Sequence, residues 1–143
     1  MFWACAISWD FVKITASKIF KYLSPDEIDT ISWYNSPRRI PAYIRHINGA
    51  ELEFKPYKAG LESFAGQSCQ GIWLDEDPAL AGNEGEQIFV ECLQRTLDCG
   101  GQIWITATPI LGKNWMYNRI YQPGVSGSSP DVNVWTVSRL GVS

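Results

Sequence analysis

Short apolar runs alternate with helical periodicities along this chain of 143 residues. The first run, from Phe2 to Ile7, predicts a buried strand, and Ser8 is a candidate cap for a following helix. In that helix, Lys13, Lys18 and Lys21 are predicted to face away from the apolar side. The apolar side itself recurs at helical spacing: Phe11, Ile14 or Thr15, Ile19, and Tyr22 or Leu23.

The middle of the chain is less regular. Residues Thr30 to Pro41 contain turn formers and two prolines, so we expect irregular structure there. Asn48-Gly49 separates Tyr43–Ile47 from Glu51–Phe54 and predicts a hairpin. The segment from Lys55 to Gln70 is rich in Gly, Ser and Lys, which indicates a surface crossing.

Two further apolar runs, Gly71–Leu74 and Gln102–Ile105, predict strands. Between them, Glu84–Leu97 has one apolar face and predicts a helix, which Cys99-Gly100-Gly101 should terminate. The remaining predictions are a helix around Trp115–Tyr121, a loop over Pro123–Pro130 and a last strand over Val132–Val137.

Strands that alternate with helices indicate an α/β fold with a mainly parallel sheet and flanking helices. We therefore expect a single partial domain over residues 1–143. The hairpin at about residues 43–54 is expected as an insertion, and residues 122–143 as a C-terminal loop and strand.

The composition fits a folded protein, with 45% hydrophobic and 19% charged residues. A net charge of -3 argues against a nucleic-acid platform made by this segment alone. The four cysteines have no CxxC pairing, and Cys5 and Cys92 are expected to be small buried hydrophobes in a reduced setting. Core packing is also the expected role of most tryptophans: Trp3, Trp9, Trp73, Trp104, Trp115 and Trp135.

Candidate chemistry follows the second and third apolar runs, at their carboxyl ends. Asp75-Glu76 could hold Mg²⁺ and activate a water molecule, whereas a solvated acidic loop is the simpler alternative. Asp77 is expected to be a loop acid before Pro78. Thr106-Ala107-Thr108 could bond a phosphate, although a turn caused by Pro109 would also explain it. The carboxyl ends of parallel strands share one edge, so the two motifs together favour a functional site.

The order of these motifs resembles the ATPase domain of the large terminase subunit, the motor that packages DNA into tailed-phage heads. The resemblance covers roughly residues 1 to 121. It lies in Phe54–Gly60 with Phe64-Ala65-Gly66, in Gly71–Pro78, in Glu91–Thr96 and in Cys99–Gly112.

This resemblance implies a partial P-loop NTPase-like fold of the RecA/ASCE type. It also implies Asp75 as the Mg²⁺-associated acid and Glu76 as the catalytic carboxylate, with ATP as the nucleotide. Thr106, Ala107 and Thr108 would couple the ATP state to DNA movement. The implied partners are double-stranded DNA, the portal protein, the small terminase subunit and other large-subunit copies, at the prohead portal in the host cytoplasm.

The sequence departs from the family in having no Gly-Lys-Ser/Thr phosphate loop; Gly112-Lys113 is followed by Asn114 and does not qualify. The nuclease domain expected after the ATPase is also missing from these residues. Both differences are those of a chain truncated at each end, so we expect no ATPase activity from the isolated chain.

The position of an arginine finger stays open. The candidates are Arg38, Arg39, Arg45 and Arg95, and the last could instead pair with Glu91. Three alternative functions also stay open at this point. They are a superfamily 2 helicase-like ATPase, a truncated α/β module without catalysis and, less favoured, a nuclease centred on Asp75, Glu76 and Asp77.

Overall fold

The computed structural model describes residues 1–137 and divides the chain into two compact units, Met1–Thr108 and Pro109–Ser143. The first unit contains a six-stranded sheet in the order β2-β3-β4-β1-β5-β6. Its strands are β1 (Phe2–Ala6), β2 (Ile28–Asn35), β3 (Ile40–His46), β4 (Glu51–Pro56), β5 (Gly71–Asp75) and β6 (Gln102–Thr106). Strand β1 is parallel to β4 and β5, and β5 is parallel to β6, which confirms the mainly parallel α/β fold.

Two α-helices accompany this sheet, α1 (Trp9–Phe20) and α2 (Gly85–Leu97). Helix α1 follows β1 after only two residues, and Ser8 is its N-cap without a side-chain capping bond. Helix α2 ends at Leu97; just beyond it Gly100 adopts a φ of 62°, and the N–H of Gly101 donates to the carbonyl of Thr96. A left-handed residue of this kind suits glycine and explains the helix stop.

The centre of the sheet is buried, as the apolar runs predicted. Trp3, Cys5, Ile72 and Leu74 are each at most 2% exposed. These residues stand on β1 and β5, interior strands of the sheet. Helices cover the faces of a parallel sheet, so its interior strands need apolar residues. Trp3 confirms the predicted core role of the tryptophans, but that prediction is wrong for two others. Trp104 and Trp135 are 49% and 84% exposed.

The middle of the chain has more structure than its turn formers suggested. Thr30–Pro41 is not irregular, because most of it belongs to β2 and the start of β3, which pair in antiparallel fashion. The predicted hairpin turn is present, with Gly49 at a φ of 88°. Its second strand, β4, also pairs with β1, so the hairpin is built into the main sheet.

The segment between β4 and β5 is also less exposed than expected. It forms two short 3₁₀ turns, Tyr57–Ala59 and Leu61–Phe64. Tyr57, Phe64 and Cys69 are buried in it. These side chains bury apolar area, which the Gly, Ser and Lys content of the segment did not indicate.

The second unit contains a π-helix over Tyr117–Tyr121, which continues as α3 (Gln122–Ser126). The loop predicted from Pro123 therefore begins later, at Gly127, whose φ is 69°. The predicted strand over Val132–Val137 is wrong, because these residues have no strand pairing. Side-chain packing holds part of this segment instead, since Val132 and Val134 lie directly against Gly124.

Residues 138–143, the end of the predicted C-terminal segment, lie outside the described residues. Between residues 1 and 137, no helix has both the length and the apolar character needed to cross a bilayer. The single domain over residues 1–143 stays a prediction.

Candidate active site at the carboxyl ends of β5 and β6

The two polar motifs meet at one edge of the sheet. Asp75 is the last residue of β5 and Thr106 the last of β6, and the two are paired in the strand register. Because parallel strands end on the same side, the acidic and hydroxyl motifs are placed next to each other. The expected juxtaposition is present.

The Asp75 carboxylate is buried, with 8% of the residue exposed, and it accepts three hydrogen bonds. Thr15 Oγ1 and Lys18 Nζ, both on α1, donate to Oδ2 at 2.7 Å each. Thr106 Oγ1 donates to Oδ1 at 3.1 Å. These bonds hold the carboxylate from the helix on one side and from β6 on the other, as a buried charge requires.

Three of the residues around Asp75 were not predicted to belong to the site. Lys18 was expected to face away, but its ammonium pairs with Asp75. Thr15 appeared only as an alternative core position of the helix. Trp73 Nε1 donates to Thr106 Oγ1 at 2.8 Å, which orients the threonine hydroxyl toward Asp75. The spacing of Thr15 and Lys18, three residues apart, was the available signal that both share one face of α1.

Glu76 is tied to the second motif by its backbone and by its side chain. Its N–H donates to the carbonyl of Thr106 at 2.8 Å, and its Oε2 accepts from the N–H of Thr108 at 3.2 Å. The backbone of Glu76 has a φ of 77°, in the left-handed region that is costly for residues other than glycine. Such strain persists only where neighbouring contacts impose it, and it is frequent at functional sites.

Tyr57 supplies one of these neighbouring contacts. Its hydroxyl donates to the carbonyl of Glu76 at 3.0 Å, and the residue is 2% exposed. Burial raises the pKa of Tyr57 well above its usual value, so the phenol stays protonated as a donor. The strained peptide is thus fixed from the 3₁₀ turn that follows β4.

Asp77 has the structural role expected for it. Its carboxylate accepts from the N–H of Ala79 at 2.9 Å and caps the 3₁₀ turn Pro78–Ala81. It is 2% exposed. Within residues 1–137, no three His, Cys, Asp or Glu side chains converge to hold a metal ion, so the three acids do not form a nuclease-type cluster there.

The donor set does fit a magnesium ion that keeps most of its water. Magnesium typically takes one or two protein carboxylates together with phosphate oxygens and water. Asp75 Oδ1 accepts a single protein hydrogen bond, from Thr106, so it has a second lone pair for a metal-bound water. Asp75 is the residue that would hold the ion, through water, and the Thr106 hydroxyl would orient its carboxylate.

Three of the four arginines considered earlier, Arg38, Arg45 and Arg95, have local partners in the structure. Arg38 pairs with Asp10 at 2.7 Å, and Arg45 lies 3.8 Å from Asp29. Arg95 pairs with Glu91 at 3.4 Å, as its spacing on the helix suggested, and also donates to the carbonyl of Gly66. The assignment of an arginine finger stays open.

Cys5 and Cys92 were predicted to be small buried hydrophobes, and the structure places both in the interior. Cys5 and Cys92 are fully buried. Burial raises the pKa of Cys92 to about 12 and that of Cys5 well above its usual value. Both thiols are therefore neutral apolar side chains at ordinary pH.

Solved structures with the same fold include a phage large terminase and the ATPase domain of another. The large terminase of a thermophilic bacteriophage, in complex with ADP, has a TM-score of 0.60 at 12% identity, covering 87% of this chain and 30% of that one. The large terminase ATPase domain of Thermus phage P74-26 has a TM-score of 0.57 at 16% identity, covering 96% and 60%. At these identities the likeness establishes the fold.

Sequence similarity points to the same proteins. The terminase large subunit of Salmonella phage P22 is 32% identical over 103 aligned positions, and the match covers 64% of this chain. The resemblance to large terminase subunits is confirmed. This chain spans 19% of the length of that large terminase subunit. No family model matches the sequence.

Proposed function

We propose that this chain is part of the ATP-hydrolysing motor of a phage large terminase subunit, which drives DNA into proheads. The observation that supports this most is the bonded unit of Asp75, Glu76, Thr106 and Thr108 at one edge of a parallel sheet. A nucleotide site is expected at such an edge. One solved structure of this fold, a large terminase, contains ADP.

Asp75 and Glu76 have different tasks in this proposal. Asp75 would hold magnesium, which offsets the charge of the phosphate oxygens. Glu76 is the catalytic carboxylate and accepts a proton from the attacking water. The Glu76 carboxylate accepts a hydrogen bond from the Thr108 N–H, whereas the Asp75 carboxylate accepts three and keeps a lone pair on Oδ1 for a metal-bound water. Separate environments for two neighbouring carboxylates suit this division.

The segment Thr106-Ala107-Thr108 is the coupling element. It touches Glu76 through the Thr106 carbonyl and the Thr108 N–H, and it touches Asp75 through the Thr106 hydroxyl. A displacement of this segment would alter both carboxylates together. This connection supports a role in relating the state of the nucleotide to movement of DNA.

The other parts of the motor are proposed to lie outside these residues. The glycine-rich phosphate loop and the nuclease domain of the motor are not among residues 1–143. Residues 1–143 are proposed to belong to a single partial ATPase domain. By itself this chain should give no ATPase activity above background. The proposed partners are double-stranded DNA, the portal protein, the small terminase subunit and further large-subunit copies, at the prohead portal in the host cytoplasm.

The metal role is tested with Asp75→Asn in a full-length terminase subunit that contains this sequence. The amide keeps the shape but loses the charge, so we expect ATP turnover to fall at least about 100-fold and to need more Mg²⁺. Glu62→Gln, an exposed acid in the 3₁₀ turn Leu61–Phe64, is the matched control and should behave as wild type. Normal turnover and Mg²⁺ dependence in Asp75→Asn would remove Asp75 from its role.

A further inference from the structure

The ion pair between Lys18 and Asp75 has no place in the hydrolysis scheme above. Lys18 stands on α1 and lies 2.7 Å from Asp75 Oδ2. Its ammonium also lies 5.6 Å from the centre of the Trp73 ring. The Lys18 ammonium is therefore already paired with the carboxylate that is proposed to hold magnesium.

Electrostatics explains why the fold needs this cation. A carboxylate with little solvent exposure is unfavourable without a counter-charge, and the side chain of Asp75 is 9% exposed. Hydrogen bonds from Thr15 and Thr106 stabilise the anion, but they bring no net charge. Lys18 supplies that charge while the metal is absent.

The Lys18 side chain can move away from this ion pair more easily than the Asp75 side chain can. The side chain of Lys18 is 47% exposed, on a flexible four-carbon stem. The Asp75 carboxylate keeps two further bonds, to Thr15 and Thr106, when the lysine moves away. Release of the ammonium therefore leaves the carboxylate in place.

We propose that Lys18 is a resident counter-ion that competes with the divalent metal for Asp75. Two cations at one carboxylate repel each other, so the metal binds weakly until Lys18 turns into solvent. The negative phosphates of a nucleotide shift this balance, so the metal arrives with its nucleotide. This inference rests on the proposed metal role of Asp75.

The test measures Mn²⁺ binding to the 143-residue chain without nucleotide, by electron paramagnetic resonance. Removal of the competing charge in Lys18→Met should tighten Mn²⁺ binding about tenfold relative to wild type. Lys18→Arg retains the charge and should bind as weakly as wild type. Lys13→Met, at an exposed position of the same helix, should also bind as wild type.

Thermal unfolding provides a second readout. Lys18→Met should unfold at a lower temperature than wild type in the absence of metal, and Mg²⁺ should restore part of the difference. Lys18→Gln serves in the same way if the methionine variant does not fold. Equal Mn²⁺ affinities for wild type and both neutral variants would overturn the competition.

A double variant separates this inference from the proposed function. Asp75→Asn combined with Lys18→Met should lose the gain in Mn²⁺ affinity. If the double variant keeps the gain, the metal does not bind at Asp75 and the proposed metal role fails as well. If Asp75→Asn weakens metal-dependent turnover in the full-length subunit while Lys18→Met leaves Mn²⁺ affinity unchanged, the competition alone fails.

Discussion

Replacement of Thr106 by valine removes the hydroxyl that joins β5 to β6 at the site. Valine keeps the shape and the strand preference of threonine. The change deletes a bond to a buried anion, Asp75, and the acceptor of Trp73 Nε1. Hydrogen bonds to charged groups contribute about 1.5–3 kcal/mol, and the exposure of Thr106 lets water replace part of this. We expect Thr106→Val to lower the free energy of unfolding by about 1.5 kcal/mol, which corresponds to about 5 °C in Tm for a chain of this size.

Thr108→Val is the matched control for that variant. Thr108 is exposed and its described bond to Glu76 uses the backbone N–H, which valine retains. Its stability should therefore stay within about 0.5 kcal/mol of wild type. Urea unfolding and thermal melts followed by circular dichroism measure both variants. Equal stability of Thr106→Val and Thr108→Val would refute the argument that the Thr106 hydroxyl supports Asp75.

Three further outcomes follow from the same structure. Burial raises the pKa of Cys92 from the ordinary 9.0 to about 12 in the folded state. Its contribution to the free energy of unfolding is therefore fully present below pH 9 and should fall by about 1.4 kcal/mol per pH unit above pH 9. Urea unfolding from pH 8 to 10 should show a shallower fall for Cys92→Ala than for wild type. Gly101→Ala places a Cβ 2.3 Å from the Cys69 carbonyl and should cost at least about 2 kcal/mol in the same assay; a stable variant would contradict that packing. Tyr57→Phe should lower the free energy of unfolding by about 1 kcal/mol in the same assay, because the Glu76 carbonyl loses a donor; wild-type stability would contradict this.

The strands that form the site could be predicted because they are short, apolar and bounded by polar residues. β1, β5 and β6 each coincide with an apolar run, and the helix between β5 and β6 has a clear apolar face. β2 was missed for the opposite reason. Its burial pattern is mostly exposed and it pairs only with β3, so no apolar run or strict alternation marks it.

Contacts across the sheet were harder to predict than the elements. The pairing of β4 with β1 depends on how the chain folds back, which local spacing does not encode. Lys18 was expected to face away because it lies off the apolar stripe of α1, and local spacing does not reveal a partner 57 residues away. The left-handed backbone of Glu76 could not be anticipated either, since it is imposed by partners from Tyr57 and Thr106.

ATP binding and ATP turnover, measured together for Glu76→Gln in the full-length subunit, test the proposed function most directly. The amide cannot take a proton from water but keeps the size of the side chain. We predict that the variant binds ATP with an affinity close to wild type and that its turnover falls at least about 100-fold, the usual contribution of a general base. Wild-type turnover in Glu76→Gln would contradict the account.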